Sequence, residues 1–269
     1  MLAGDKSLRY FNFFLMVVVT TVLMLPILHA LNRSVEPPGG LGNYIRVLTD
    51  ARLPRFYLNS IIVSAGTILL TAGCASLAAF AFSKLTFPFR NTLLLTLLVT
   101  LLVPFTTMII PLFVLIRGFD LYNTYLGLIL PLAAFGVPFH TILIANYMNG
   151  LPNELMDAAY IDGCSDFGAF WRIMLPLSMP VQAVVIVLTF LGSWNNYLLP
   201  LILLRDQEMH TVALAAVSWA NDAGALSQFG EVSYDTLFAA LFLLAAPTLI
   251  VFLLFQRVFI GSVTSGAIK

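Results

Sequence analysis

Apolar segments long enough to cross a lipid bilayer make up most of this chain. Six of them occur, at residues 10–31, 56–82, 91–116, 122–148, 181–203 and 236–258. A bilayer core of about 30 Å needs roughly 20 apolar residues in a helix. Water is absent there, so backbone polar groups must be satisfied within helices or closed barrels. The pattern predicts an all-α membrane protein with six transmembrane helices.

The low charge content agrees with this class. Of the 269 residues, 60% are hydrophobic and 10% are charged, with a formal net charge of zero. A soluble domain usually carries about 25% charged residues. We therefore expect membrane lipid as the main surrounding and no nucleic-acid partner. Lys6 and Arg9 precede the first apolar segment, but no small-residue cleavage site follows, so we interpret this segment as a membrane helix rather than a signal peptide.

Positive charges do not decide the orientation of the chain in the membrane. An even number of spans places both termini on one side, and that side tends to hold more Lys and Arg when it is cytoplasmic. The side of the termini holds Lys6, Arg9, Lys84, Arg90, Arg172, Arg257 and Lys269. The other side holds Arg33, Arg46, Arg52, Arg55, Arg117 and Arg205.

The longest polar stretch, residues 151–180, lies between the fourth and fifth apolar segments, and we call it the elbow. Asn153 can cap a helix start, and Glu154 and Asp157 suit the positive end of a helix dipole. This predicts a helix at about residues 153–161, which Gly163 ends as a left-handed residue. Ser165 or Asp166 can cap a second helix.

The second helix of the elbow has an apolar face. Four residues recur at positions i, i+3, i+4 and i+7, namely Phe167, Phe170, Trp171 and Met174. We expect this half to pack back on the membrane helices. Two interpretations of the whole elbow stay open on these grounds. It is either a connector, since most surface helices are capped and amphipathic, or a docking site for another subunit.

A motif within the elbow resembles a known family. Asp157-Ala158-Ala159, Asp162-Gly163 and the later Ile173-x-Leu175-Pro176 match the spacing of the "EAA" loop of binding-protein-dependent ABC importer permeases. Asp157 stands where that family usually has Glu. Further pieces resemble the carbohydrate, maltose-permease-like branch in its second-permease type: Asn43-Tyr44, Leu58-Asn59-Ser60, Phe87-Pro88, Trp194-Asn195-Asn196 and Phe255-Gln256-Arg257.

The resemblance implies a fold and a location. The fold is that of a type I ABC importer permease, with six transmembrane helices and a cytoplasmic coupling-helix elbow. Residues 1–54 would be the first transmembrane helix with an extracytoplasmic loop, 55–258 the permease core, and 259–269 a cytoplasmic tail. Both termini would be cytoplasmic, in the inner or plasma membrane of a bacterium or archaeon.

The same resemblance implies partners and site residues. A second permease subunit would complete a heterodimer, an extracytoplasmic binding protein would deliver the solute, and two ATPase subunits would bind ATP and Mg. The ATPase contact would comprise Glu154, Asp157, Ala158, Ala159, Asp162 and Gly163. The binding-protein contact would lie in residues 217–231, with Trp219, Asn221, Asp222 and Gln228. The family transports carbohydrates and related polyols.

A polar and aromatic cluster ends the fifth apolar segment and is a candidate for the solute path. It consists of Trp194, Asn195, Asn196 and Tyr197. Aromatic faces and amides suit hydroxyl-rich solutes. The alternative is an interfacial aromatic belt with amides that pack between helices.

Other chemistry has little support in the sequence. There is no G-x-x-x-x-G-K-[ST], H-E-x-x-H or C-x-x-C motif, so we expect no catalytic, metal or cofactor site in this chain. His29, His140 and His210 are scattered, and Cys74 and Cys164 lie in different surroundings. An ion-coupled secondary transporter is the main alternative, although only His140 is an ionisable residue deep within a span. A membrane-embedded enzyme is a third class, without a nucleophile–base pair to support it.

Overall fold

The structure is a computed structural model that describes residues 3–36, 39–216 and 234–266. Within these ranges the regular elements are helices and no strand occurs. The prediction of an all-α membrane protein is therefore confirmed for the described part. In chain order the helices are α1 Ala3–Ser34, α2 Gly42–Leu48, α3 Leu53–Lys84, α4 Arg90–Thr100, α5 Ile109–Gly118, α6 Tyr125–Asn149, α7 Glu154–Ile161, α8 Asp166–Ala169, α9 Leu175–Leu177, α10 Met179–Trp194, α11 Leu198–Leu203 and α12 Tyr234–Gly266.

Four helices of the described chain are long and apolar enough to cross a membrane unaided. They are Leu8–Ser34 within α1, Leu53–Lys84, Tyr125–Asn149 and Asp235–Gln256 within α12. Two bent pairs bring the number to six if each pair is one span. In one pair Arg90–Thr100 meets Phe105–Gly118 at 91°, and in the other Asp166–Leu177 meets Met179–Trp194 at 77°. The described chain therefore has four to six apolar spans.

Two predicted spans are not single helices, and proline explains both breaks. The span at 91–116 is interrupted before a short 3₁₀ turn, Phe105–Met108, where Pro104 is extended with ψ 128°. The span at 181–203 is divided into α10 and α11 by residues 195–197. Pro200 lacks the N–H that would bond the carbonyl of Asn196, and its ring would clash with that carbonyl in a continuous helix.

Compact packing divides the chain into two units. The first comprises the described residues up to Leu53 and those from Ala216 to Ala246. In this unit the Asn43 amide donates to the Ser34 carbonyl at 3.2 Å, and its oxygen accepts from the Thr236 hydroxyl at 3.2 Å. These bonds join α1, α2 and α12. The last helix continues to Gly266, so residues 259–266 of the predicted tail are helical.

The second unit comprises Pro54–Ala215 and the described residues from Pro247 onward. It has one apolar cluster at each end. The first end combines Val63 of α3 with Leu128 of α6 and Leu199 of α11. The second end combines the far parts of α3 and α6 with the elbow and the start of α10. Since α3 and α6 both run from the first cluster to the second, they are parallel, and α10 runs back between the two ends.

Candidate functional site

The elbow has the predicted form of two short helices joined at a glycine. Helix α7 ends in a tight turn in which Asp162 N donates to the Ala158 carbonyl at 3.0 Å and Cys164 N donates to the Ala159 carbonyl at 2.9 Å. Gly163 has φ 80°, in the left-handed region that side chains avoid. No neighbouring atom lies within 4 Å of the space that a Cβ would occupy there. The glycine is therefore required by its backbone conformation and not by crowding.

The second arm is capped and tied to the first. The Ser165 hydroxyl accepts from Gly168 N at 3.2 Å, which confirms the predicted cap. The Tyr160 hydroxyl of α7 donates to Asp166 Oδ1 of α8 at 2.8 Å. The accepting carboxylate raises the pKa of Tyr160 because it stabilises the protonated phenol. This bond fixes the angle between the two arms of the elbow.

The inner face of the elbow is buried against membrane helices. Met156 and Ala159 of α7, with Ala169, Phe170 and Met174 of the second arm, belong to the cluster at the second end of the unit. The Phe170 ring lies 5.3 Å from that of Phe80 in α3. The same cluster includes residues of α6 and α10. The elbow therefore rests on three helices of the same chain.

Lys84, the last residue of α3, anchors the entrance of the elbow. Its ammonium donates to the Leu151 carbonyl and to Asn153 Oδ1, each at 2.8 Å. Asn153 was expected to cap α7, but its side chain makes no capping bond and accepts from Lys84 instead. Sequence reasoning missed this role of Lys84. Lysine is rare in this chain and Lys84 stands at the end of a span, but nothing in the sequence indicates the partners of its ammonium group.

The outer face of α7 carries most of the predicted ATPase-contact residues. Glu154, Asp157, Ala158, Asp162 and Gly163 are exposed. Ala159 does not share this face, because only 1% of it is exposed and it packs inward one turn after Met156. Of the two alanines in the predicted ATPase contact, Ala158 is therefore the exposed one. Ile161, with 86% exposure, joins the outer face instead.

The second arm of the elbow packs only in part as expected. Phe170 and Met174 are buried, whereas Phe167 is 65% exposed and Trp171 is also exposed. Phe167 and Trp171 stack on each other, with ring centroids 6.4 Å apart. A π turn, Phe170–Met174, lies in this arm and widens the helix, so an ordinary helical face does not describe it. Phe167 and Trp171 thus give the second arm of the elbow an exposed apolar surface.

The predicted solute-path cluster separates into different surroundings. Trp194 is only 3% exposed, and its ring stacks on Phe190 at 5.2 Å and meets Tyr57 edge-on at 5.9 Å. The Asn195 amide donates to the Leu191 carbonyl at 2.9 Å. Trp194 is therefore packed among helices, whereas Asn195 is exposed and its amide bonds within its own helix. Tyr197 is exposed.

Asn196 lies at a cavity beside the break between α4 and α5. The cavity has a volume of about 430 Å³ and also contacts Thr100 and Phe135. A second cavity of about 410 Å³, almost entirely apolar, shares Thr100 and Phe135 with the first. Residues of the break therefore line both a mixed polar cavity and an apolar one.

Hydrogen bonds hold the segment after α11 onto the opposite end from the elbow. The Asn59 amide of α3 donates to the carbonyls of Glu208 at 2.7 Å and His210 at 2.8 Å, and the Tyr125 hydroxyl donates to Asn59 Oδ1 at 2.7 Å. Burial lowers the pKa of the His210 imidazole, an effect that Asp206 partly offsets. The predicted binding-protein contacts further along, Trp219, Asn221, Asp222 and Gln228, lie outside the described residues.

Within the described residues, no group of three His, Cys, Asp or Glu side chains could hold a metal ion. His140 is buried in α6, and its Nδ1 lies 2.7 Å from the Gly136 carbonyl of the preceding turn. This contact is what a packed helix histidine makes.

The family follows from comparison with known proteins. Residues 72–265 match the family described as binding-protein-dependent transport system inner membrane component, and the chain belongs to it. It is 31% identical to the diacetylchitobiose uptake system permease protein NgcG of Streptomyces coelicolor, over 99% of this chain and 91% of that protein. It is 38% identical to the arabinooligosaccharides transport system permease protein AraQ of Halalkalibacterium halodurans, over 85% and 79%.

A solved structure shows the same fold. A chain of a bacterial ABC transporter involved in the import of the acidic polysaccharide alginate superposes with a TM-score of 0.82 at 22% identity, over 96% of this chain and 98% of that one. The type I ABC importer permease fold is therefore confirmed for this chain. The sugar permeases among its relatives give no support to the secondary-transporter alternative.

Proposed function

We propose that this chain is one of two permease subunits of an ATP-driven importer, in which it forms half of the path for a carbohydrate or polyol. The observation that best supports this proposal is the elbow. Its two short helices have an exposed outer face, and their inner face packs on three membrane helices. The sugar uptake roles in the names of NgcG and AraQ support the solute class. The chain has no P-loop motif, so ATP is hydrolysed by a partner subunit.

The outer face of α7 is the proposed contact with the ATPase. Glu154 and Asp157 provide carboxylates that can pair with Arg or Lys of a partner. Ala158 allows close approach, and the turn at Gly163 lets α7 end without a bulky side chain. Ile161 adds an apolar anchor, which protein interfaces commonly use near their centre.

Three kinds of partner would complete the proposed importer. We propose a second permease subunit, two ATPase subunits and an extracytoplasmic solute-binding protein. An alginate importer chain with the same fold has been solved in a complex with a sugar-bound periplasmic protein. The elbow would then face the cytoplasm together with both termini, and the Asn59 end of the second unit would face outward, towards the binding protein.

Replacing the charge on the outer face tests the proposal. We expect Asp157→Lys to reduce co-purification of the ATPase subunit with the membrane complex and to abolish ATP-dependent uptake. Glu208→Lys is the control for ATPase co-purification only, because Glu208 is an exposed carboxylate at the opposite end, which faces the binding protein in this proposal. ATPase binding and stimulated hydrolysis at wild-type levels in Asp157→Lys would contradict the coupling role.

Uptake by this chain without an ATPase tests the importer class itself. Proteoliposomes containing only the purified chain should accumulate no sugar when a proton gradient is imposed. Accumulation under those conditions would establish an ion-coupled transporter instead.

A further inference from the structure

The break between α4 and α5 interrupts an apolar span with non-helical backbone at residues 101–104. Non-helical backbone at membrane depth is tolerated where it is buried in protein or lines a cavity. Transporters commonly build solute sites from such broken helices, because the freed backbone and nearby side chains can contact the solute. The backbone at residues 101–104 is therefore of the kind that contacts a transported solute.

The mixed cavity beside this break has the composition of a small-molecule site. Its volume of about 430 Å³ falls within the roughly 300–1,000 Å³ usual for such sites. Phe105 and Phe135 contribute aromatic rings whose centroids are 4.8 Å apart in an edge-to-face arrangement. Thr100 and Asn196 contribute the polar side chains of the lining.

The two polar side chains have hydrogen-bonding capacity left for a solute. The Thr100 hydroxyl donates to the Leu97 carbonyl at 2.7 Å, which leaves its oxygen able to accept. Asn196 Oδ1 accepts from Leu199 N at 3.1 Å, and the Asn196 amide nitrogen donates to no described residue. One acceptor and one donor together suit a hydroxyl group, which can both donate and accept.

The charge of the lining residues narrows the chemical class of solute that this cavity can bind. No Asp, Glu, Lys or Arg lies among the residues described as lining this cavity. An ionised solute would lose its hydration here without a counter-charge, at a large cost in free energy. A neutral sugar loses only hydrogen bonds that an amide and a hydroxyl can replace, and its C–H faces can pack on the phenylalanine rings.

We propose that the cavity at the α4–α5 break contacts a neutral polyhydroxylated solute during import, with Asn196 as the hydrogen-bond donor and Thr100 as the acceptor. Phe105 and Phe135 supply the apolar contact with the sugar ring. The inference rests on the proposed function. It assigns solute contact in this subunit to Asn196 and not to Trp194, which is packed in the core.

Thiol labelling tests contact directly and does not depend on activity. Asn196→Cys is made in a chain with Cys74→Ala and Cys164→Ser and is labelled with a small thiol reagent in the assembled importer. We expect N,N′-diacetylchitobiose or maltose, loaded on the binding protein in the presence of ATP, to slow labelling at residue 196 by at least about threefold. Asn195→Cys is the matched control at a position outside the cavity, and its labelling rate should be the same with and without sugar. Equal labelling of Asn196→Cys with and without both sugars overturns the inference.

A measurement of sugar uptake distinguishes a failure of this inference from a failure of the proposed function. Asn196→Ser keeps an oxygen that can accept from Leu199 N, but its shorter side chain no longer places a donor where the amide nitrogen stands. Uptake of the transported neutral sugar should therefore fall about tenfold, the loss of roughly one hydrogen bond. Co-purification of the ATPase subunit should stay at the wild-type level, which shows that the importer still assembles. Asn195→Ser is the control. If the wild-type importer is active and Asn196→Ser takes up sugar at the same rate, the assignment of solute contact to this cavity is wrong, and the proposed function is unaffected. A wild-type importer that moves no carbohydrate with ATP overturns the proposed function, and the inference with it.

Discussion

Lys84 hydrogen-bonds the entrance of the elbow to the end of α3. Its ammonium bonds Leu151 O and Asn153 Oδ1, both at 2.8 Å, immediately before α7 begins. We expect Lys84→Met to release this attachment, because methionine keeps an unbranched apolar stem of similar length but has no donor. The buried face of Met156 and Ala159 would remain, so the elbow should loosen without leaving the bundle.

The size of the effect follows from the exposure of the two bonds. A hydrogen bond to a charged group contributes about 1.5–3 kcal/mol when protected from water. Lys84 is half-buried and Asn153 is exposed, so solvent competes for both bonds. A contribution of about 1 kcal/mol for each bond gives roughly 2 kcal/mol for the pair. At 1.4 kcal/mol per factor of ten, the detached population of α7 should rise about 30-fold.

Hydrogen–deuterium exchange in lipid nanodiscs measures this population. Amides of α7 should exchange about 30-fold faster in Lys84→Met than in wild type, whereas amides in the middle of α6 should not change. Asn153→Ala removes one of the two acceptors and should give about a fivefold increase. Combined with Lys84→Met it should add nothing, because the donor is already gone. Wild-type exchange of α7 in Lys84→Met would refute the anchoring role.

Two further predictions concern the elbow turn and the opposite end of the unit. Gly163→Ala should lower the free energy of unfolding by roughly 1–2 kcal/mol, because a Cβ is disfavoured at φ 80°. Gly192→Ala within α10 should be neutral or slightly stabilising. Thermal unfolding of the two purified variants measures the difference, and equal stabilities would contradict this prediction. The lowered pKa of His210 means that the unfolded segment binds a proton more readily than the folded one. The segment at residues 204–212 should therefore be insensitive to pH above about 6.5 and should become easier to cleave by protease as pH falls below it. His210→Asn should remove that dependence, and an unchanged acid sensitivity would contradict it.

Local chemistry explains which parts of the elbow could be predicted. A cap bonds residues two or three positions away, and a left-handed turn needs glycine at one position, so both leave a short sequence signal. Ser165 and Gly163 were therefore placed correctly. The second arm was harder, because four apolar residues recur at helical spacing but only Phe170 and Met174 are buried, while Phe167 and Trp171 are exposed.

Long-range packing explains what the sequence could not predict. Ala158 and Ala159 are identical in type, and only the position of the cluster formed by α3, α6 and α10 determines that Ala159 faces inward. Lys84 and Asn153 are far apart in the chain, so their bond had no local signal. The break at Pro104 was indicated by the proline, but the 91° bend and the cavity beside it depend on how α4 and α5 pack against α6.

The elbow and the cavity are joined by one helix. α10 begins directly after the second arm of the elbow and has 16 residues, which at about 1.5 Å per residue gives a rod of roughly 24 Å. Asn196 lies just beyond its far end. Gln182 of α10 donates to the Ser76 hydroxyl of α3 at 2.8 Å, so that the rod is also fixed sideways near the elbow. In the proposed importer, a displacement of the elbow would reach α10, and Asn196 beyond it, across the 77° bend between the second arm and α10. This geometry offers a physical route by which ATP hydrolysis in a partner subunit would change the solute contacts in this one.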